Sequence, residues 1–125
     1  MNLKSIQFFC FFTFFFSSLY PITQKKPWTI MVYIAGDNDL ASFISKNVEQ
    51  MARIGSNKNV NIVVQINTSD NKRRKWSQVL FIEKNKKVTL THQTQTFLTD
   101  SGKPETLISF CSYVISNFPA DHYAL

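Results

Sequence analysis

With 125 residues, 44% of them apolar, and 14 Lys and Arg against 8 Asp and Glu, the chain has material for one small packed domain and not for two. Its two cysteines, Cys10 and Cys111, exclude a disulfide-stapled scaffold. The formal charge of +6 raises a nucleic-acid partner, but no RNP-type aromatic pattern, zinc-ligand spacing or helix-turn-helix signal accompanies it, so none is expected.

The first segment carries much of the aromatic content, since seven of the twelve Phe lie between Phe8 and Phe16. Lys4 supplies a positive start, Ile6 to Phe16 is apolar except for Gln7 and Thr13, and Ser17-Ser18 begins a more polar exit. That pattern suits the apolar region of a secretory signal and is shorter than the roughly 18 to 20 residues that span a bilayer. Residues 1–23 are therefore expected to be a signal peptide or N-terminal anchor. The chain is expected to be exported (secreted, periplasmic or in the cell envelope), with no stable membrane insertion beyond this segment. No clean small-x-small triplet precedes Gln24 to mark a cleavage site. Cys10 lies inside the apolar run without small residues before it, which argues against a lipoprotein anchor. Loss of the segment leaves Cys111 without an internal disulfide partner.

Gln24 to Pro27 reads as a short basic linker. Trp28 to Gly36 is near-continuously apolar and rich in β-branched residues, as expected of a strand buried on both faces of a parallel sheet. Gly36-Asp37-Asn38-Asp39 ends it with turn and helix-capping chemistry. Leu40, Phe43, Ile44, Val48, Met51 and Ala52 then recur at helical spacing, and Gly55 supplies a stop. Val60 to Ile66 is a second buried strand. Asn67 to Asn71 reads as a polar turn, followed by the basic run Lys72-Arg73-Arg74-Lys75, whose simplest reading is a solvated loop. Gln78 to Glu83 and Lys87 to His92, joined by Lys84-Asn85-Lys86, form a predicted hairpin at the rim of the parallel sheet. Pro104-Glu105 opens a second helix, with Leu107, Ile108, Cys111, Val114, Ile115 and Phe118 as its apolar stripe and Pro119 closing it. Asp121 to Leu125 begins a third strand, which the reading expects to be incomplete.

The order β-α-β, hairpin, α, β implies an α/β fold: a parallel sheet with helices on its faces and ligands beyond the carboxyl ends of the strands. Three groups of residues bear on chemistry. Asp37-x-Asp39, at a strand's carboxyl end, has the donor set for a Mg²⁺ ion and a phosphoryl-transfer nucleophile. However, Ala41 stands where a haloacid-dehalogenase-like site favours Thr or Val, so capping or loop hydrogen bonding is the simpler role. His92 ends a hairpin strand without a nucleophile at a partner position, and His122 begins its strand instead of ending it. Cys111 sits in mid-helix on the apolar face, the place of a small buried hydrophobe. A Cys111–His122 dyad is therefore not expected, and no catalytic, cofactor-binding or metal-binding residue is assigned in this chain. No cofactor is expected.

Several ordered blocks resemble the clostripain family of cysteine peptidases (peptidase family C11, in the caspase-like clan). They are Trp28 to Leu40; Gln50-Met51 with Ile54-Gly55-Ser56; Val60 to Gln65; Pro104 to Leu107; and Phe118 to Leu125. The resemblance covers residues 27–125 and implies an incomplete caspase-like sandwich, the N-terminal part of a peptidase domain. It implies a Cys-His dyad, cleavage after Arg or Lys, and a peptide or protein substrate in the full-length family member. In the family pattern the tail seen here continues into a His-Gly pair that carries the catalytic His, and the nucleophilic Cys follows the next strand. Neither position lies in this chain, and His122 matches the non-catalytic His that precedes the strand. Lys103 departs from the Asp often found before the Pro-Glu-Thr-Leu block. Two alternatives stay open: a non-catalytic truncated binding protein, and a Mg²⁺-dependent phosphate-handling protein using Asp37 and Asp39.

Overall fold

The computed structural model describes residues 24–69, 75–94 and 100–125. The predicted signal segment and Lys72, Arg73 and Arg74 of the basic run lie outside the described residues. Five strands and two helices follow in the order β1 (Lys26–Ala35), α1 (Ile44–Ile54), β2 (Val60–Ser69), β3 (Lys75–Glu83), β4 (Lys86–Thr94), α2 (Pro104–Asn117) and β5 (Ala120–Ala124). A single 3₁₀ turn, Ala41–Phe43, leads into α1.

All five strands join one sheet in the order β4-β3-β2-β1-β5. β1 pairs in parallel with β2 (Trp28 opposite Val60, Ala35 opposite Asn67) and with β5 (Trp28 opposite His122, Ile30 opposite Ala124). The predicted hairpin is present, but it extends the sheet itself: β3 lies antiparallel to β2, and β4 to β3. Its two-residue turn is Lys84-Asn85, with Asn85 at φ 59°, a left-handed conformation that Asn tolerates. Glu83 and Lys86 close the turn with an exposed ion pair at 3.3 Å.

Alternation along the strands divides the core into two clusters, because successive residues point to opposite faces. Met31, Val63 and Val79 pack beneath Phe110 and Val114 of α2 and Phe118 just after it. Val64, Ile66, Leu80 and Ile82 pack beneath Val48 and Ala52 of α1. The two helices thus cover opposite faces. A right-handed crossover requires this arrangement, since β1-α1-β2 and hairpin-α2-β5 traverse the sheet in opposite directions.

Four expectations need correction. β2 is buried on both faces, but β1 is not: Thr29 and Met31 are buried, whereas Trp28 (43% exposed) and Ile30 open to solvent. Among the described residues, α1 lies over β2 and β3, and no element covers the amino-terminal half of β1 or β5 on that side. Leu40 and Phe43 are accordingly exposed, and the buried stripe of α1 is centred on Val48 and Ala52. In α2 the buried line is Thr106, Phe110 and Val114, one step around from the predicted stripe, and Ile108 (62% exposed) and Ile115 face outward. Finally, Asn67, Thr68 and Ser69 are the last residues of β2 and not a turn, held by pairing with Ser77, Trp76 and Lys75.

Candidate functional site

In sheets of this kind ligands gather beyond the carboxyl ends of the strands, where the traverse direction changes. Here that edge is formed by the ends of β1 and β2, the turn Gly36–Asp39 and the first turn of α1. Gly36 is fixed to the end of β2 from two directions: its N–H donates to the Asn67 carbonyl (2.6 Å), and its own carbonyl accepts from Thr68 Oγ1 (2.9 Å). Beneath it lie two buried amides, with Gln65 Nε2 donating to Asn67 Oδ1 at 2.7 Å. On the α2 side, the Tyr33 hydroxyl donates to the Ser101 carbonyl at 3.3 Å; burial, reinforced by Asp100, holds its pKa above the ordinary phenol value.

The acidic turn is organised by hydrogen bonds. Asn38 Oδ1 accepts from the Leu40 N–H, and Asn38 Nδ2 donates to the Ala35 carbonyl, both at 2.8 Å. Asp37 Oδ1 accepts from the Ser69 hydroxyl (2.7 Å), and Asp37 Oδ2 faces Lys75 Nζ at 3.3 Å. The hydrogen bond from Ser69, then that from Lys75, holds the Asp37 carboxyl below its ordinary value. Both Asp37 oxygens are thus engaged, tying the β1 turn to the end of β2 and to the start of β3. No group of three or more His, Cys, Asp or Glu side chains placed to hold a metal ion occurs among the described residues, and the phosphate-handling alternative is not favoured. Of the two simpler roles expected, capping or loop hydrogen bonding, it is the second that Asp37 and Asn38 take. No side chain caps α1, whose amino-terminal flank is Phe43, and Asn38 instead closes the turn that precedes the 3₁₀ segment.

This linkage predicts a pH dependence. A carboxyl whose folded-state pKa is depressed adds stability that is present above its unfolded value, near 3.8, and is lost as pH falls through the folded value. Asp37→Asn should lower stability at pH 7 by less than about 1 kcal/mol, because the pair is largely exposed. It should also remove that increment of acid sensitivity below pH 3.8. Urea titrations at pH 7 and pH 3 on both proteins measure it; equal acid sensitivity would contradict the linkage.

The remaining sequence candidates are not brought together. Cys111 packs among the half-buried residues on the α2 side, and burial pushes its thiol up, away from the reactive thiolate. His122 lies on the opposite face, its ring 4.8 Å from that of Trp28 and at the amino-terminal end of the sheet. The sheet separates the two, so they form no dyad. His92 is in β4, opposite Gln78.

One feature of the edge escaped the sequence reading. A cleft of about 550 Å³ runs from the carboxyl end of β2 down between α1 and the hairpin, walled by Ile44, Val48, Ile66, Trp76 and Leu80.

A mixed sheet with helices on both faces, a hairpin at one rim and a carboxyl-end edge beside α1 places this chain in the caspase-like class of α/β sandwich. The profile of the clostripain family (Peptidase_C11) matches residues 32–125, and the chain belongs to that family. Among solved structures, it is similar to an inactive zymogen C11 protease from Parabacteroides distasonis (24% identity, TM-score 0.59), covering 82% of this chain and 30% of that one. It is similar to a clostripain from Bacteroides thetaiotaomicron in complex with a peptide inhibitor (16% identity, TM-score 0.63), covering 80% of this chain and 86% of that one. A secreted C11 cysteine protease from the same organism, in complex with an irreversible peptide inhibitor, matches at 22% identity and TM-score 0.57, covering 78% and 27%. At these identities the likeness establishes the fold. The chain spans about a third or less of the first and third of these proteins, whereas the second is itself a chain of similar length. No curated protein matches.

Proposed function

We propose that this chain is the amino-terminal scaffold of an exported cysteine endopeptidase domain, and that the Cys and His of its dyad come from polypeptide outside these residues. The observation that carries the reading is the register of β5. Ala124 lies opposite Ile30, whereas β1 continues to Ala35. Among the described residues, Met31 to Ala35 therefore have a strand neighbour only on the β2 side. A continuation of β5 along them would deliver its end to the edge where Gly36 and Asp37 lie, the place at which the family pattern puts a His-Gly pair. The chemistry would then be attack of a thiolate on a peptide carbonyl, with His donating a proton to the leaving amine and an acyl-enzyme between the two half-reactions. The residues in hand would supply the fixed carboxyl edge of the sheet, and the dyad's substrate would be a polypeptide cut after Arg or Lys.

Export is supported by the composition of residues 1–23 and by the description of one similar protein as secreted. No helix among the described residues is long and apolar enough to cross a membrane. Sequencing the coding DNA past the Leu125 codon tests the assignment. The reading expects an open frame with His-Gly a few residues on and a Cys after the following strand. A continuation with neither residue at a strand end would overturn it.

A further inference from the structure

The cleft between α1 and the hairpin has no role in the family chemistry described above, and its composition is specific. Its floor and walls are apolar, from Ile44, Val48, Ile66, Leu80 and the half-buried ring of Trp76. Three of its four lining hydroxyls are already committed as donors: Ser45 to Glu49 Oε1 (3.2 Å), Thr68 to the Gly36 carbonyl, and Ser69 to Asp37. Gln78 Nε2 donates across the cleft mouth to Thr89 Oγ1 at 2.9 Å. Lys87 is the one charged residue in the lining, and among the described residues its ammonium has no acidic partner. A volume near 550 Å³ is in the range of ligand-sized pockets. It is open along one side, so it suits a side chain presented by a polypeptide better than an enclosed small molecule.

We propose that this cleft is an exosite for peptide segments in which an apolar side chain, aromatic or leucyl, stands next to a carboxylate. The apolar side chain lies against the half-buried Ile44 and Trp76, over a floor of buried Val48 and Leu80, and the carboxylate meets Lys87. The cleft starts at the carboxyl edge of the sheet, beside Ser69 and the first turn of α1, and so adjoins the place where a substrate would be cut. The substrate role rests on the peptidase reading; the docking chemistry rests on the cleft alone.

Blocked tetrapeptides test it: acetyl-Gly-Phe-Glu-Gly-amide and its Gln counterpart, titrated into the isotope-labelled chain. Binding is read on the indole N–H signals of Trp76 and Trp28. The Glu peptide should shift Trp76 and leave Trp28 unmoved. The Gln peptide should bind about threefold more weakly, the scale of one exposed ion pair. Lys87→Gln should weaken the Glu peptide by the same factor and leave the Gln peptide unchanged. Thr89→Trp, which fills the mouth from an exposed strand position where Trp is a good β-former, should abolish both. Equal binding of the two peptides, binding unaffected by Thr89→Trp, or shifts confined to Trp28 would each overturn the proposal. Because cleavage is not the readout, loss of the peptidase reading leaves this result interpretable, and the converse holds.

Discussion

Replacing Phe110 with alanine is expected to remove most of the folded stability of this chain. Phe110 is 2% exposed and packs with Met31, Val63, Val79, Val114 and Phe118, and its ring lies 6.2 Å from that of Tyr33. Truncating a buried Phe costs about 3 to 5 kcal/mol, from lost transfer energy plus the cavity left behind. A domain of this size has only about 5 to 15 kcal/mol in total. The matched control is Ile108→Ala, at an apolar position two residues away that is exposed and should shift stability by less than about 1 kcal/mol. Urea denaturation followed by far-UV circular dichroism separates the two. Equal costs would mean that α2 packs through the other face.

Gly55→Ala should have the second largest effect. Gly55 ends α1 at φ 66° and ψ 173°, a region essentially reserved for glycine. A Cβ there would overlap the backbone nitrogen of Lys84 and sit 2.5 Å from its Cα. These are main-chain atoms of the hairpin turn and have no side-chain rotamer with which to give way. The same turn is tied to the helix by Asn85 N–H to the Ala52 carbonyl (2.6 Å), and Ser56 N–H reaches the Ile82 carbonyl (2.7 Å). Backbone strain of about 1 to 3 kcal/mol adds to the cost of displacing the turn. A total of about 3 kcal/mol lowers the melting temperature of a domain this small by roughly 12 °C or more. The loosened hairpin should also weaken the exosite. Gly102→Ala is the control, since a Cβ there meets only Asp100 Oδ1, at 3.4 Å. A melting temperature within a few degrees of the parent for Gly55→Ala would contradict the close approach of α1 to the hairpin.

The contrast between the two helices shows what could be read in advance. β1 and β2 were legible because a continuous run such as Ile62-Val63-Val64 has few other fates. The face of α2 was not, because Leu107, Ile108, Phe110, Cys111, Tyr113, Val114 and Ile115 offer two overlapping helical stripes. Only the position of β2 beneath the helix selects Phe110. Asn67, Thr68 and Ser69 looked like a turn because their polarity hides that each is paired within the sheet. The cleft depends on the distance between α1 and a hairpin that follows it by more than twenty residues, and no local pattern encodes that. Cys111 and His122, read from the sequence as mid-helix and strand-start positions, lie on opposite faces of the sheet.

The most direct measurement is the activity of the purified chain on an Arg-containing fluorogenic peptide, alongside Cys111→Ala. A scaffold whose dyad lies in other polypeptide should release no fluorophore above the buffer blank in either protein. Cleavage by the parent that Cys111→Ala abolishes would contradict the account, because it would make the half-buried thiol of α2 a nucleophile.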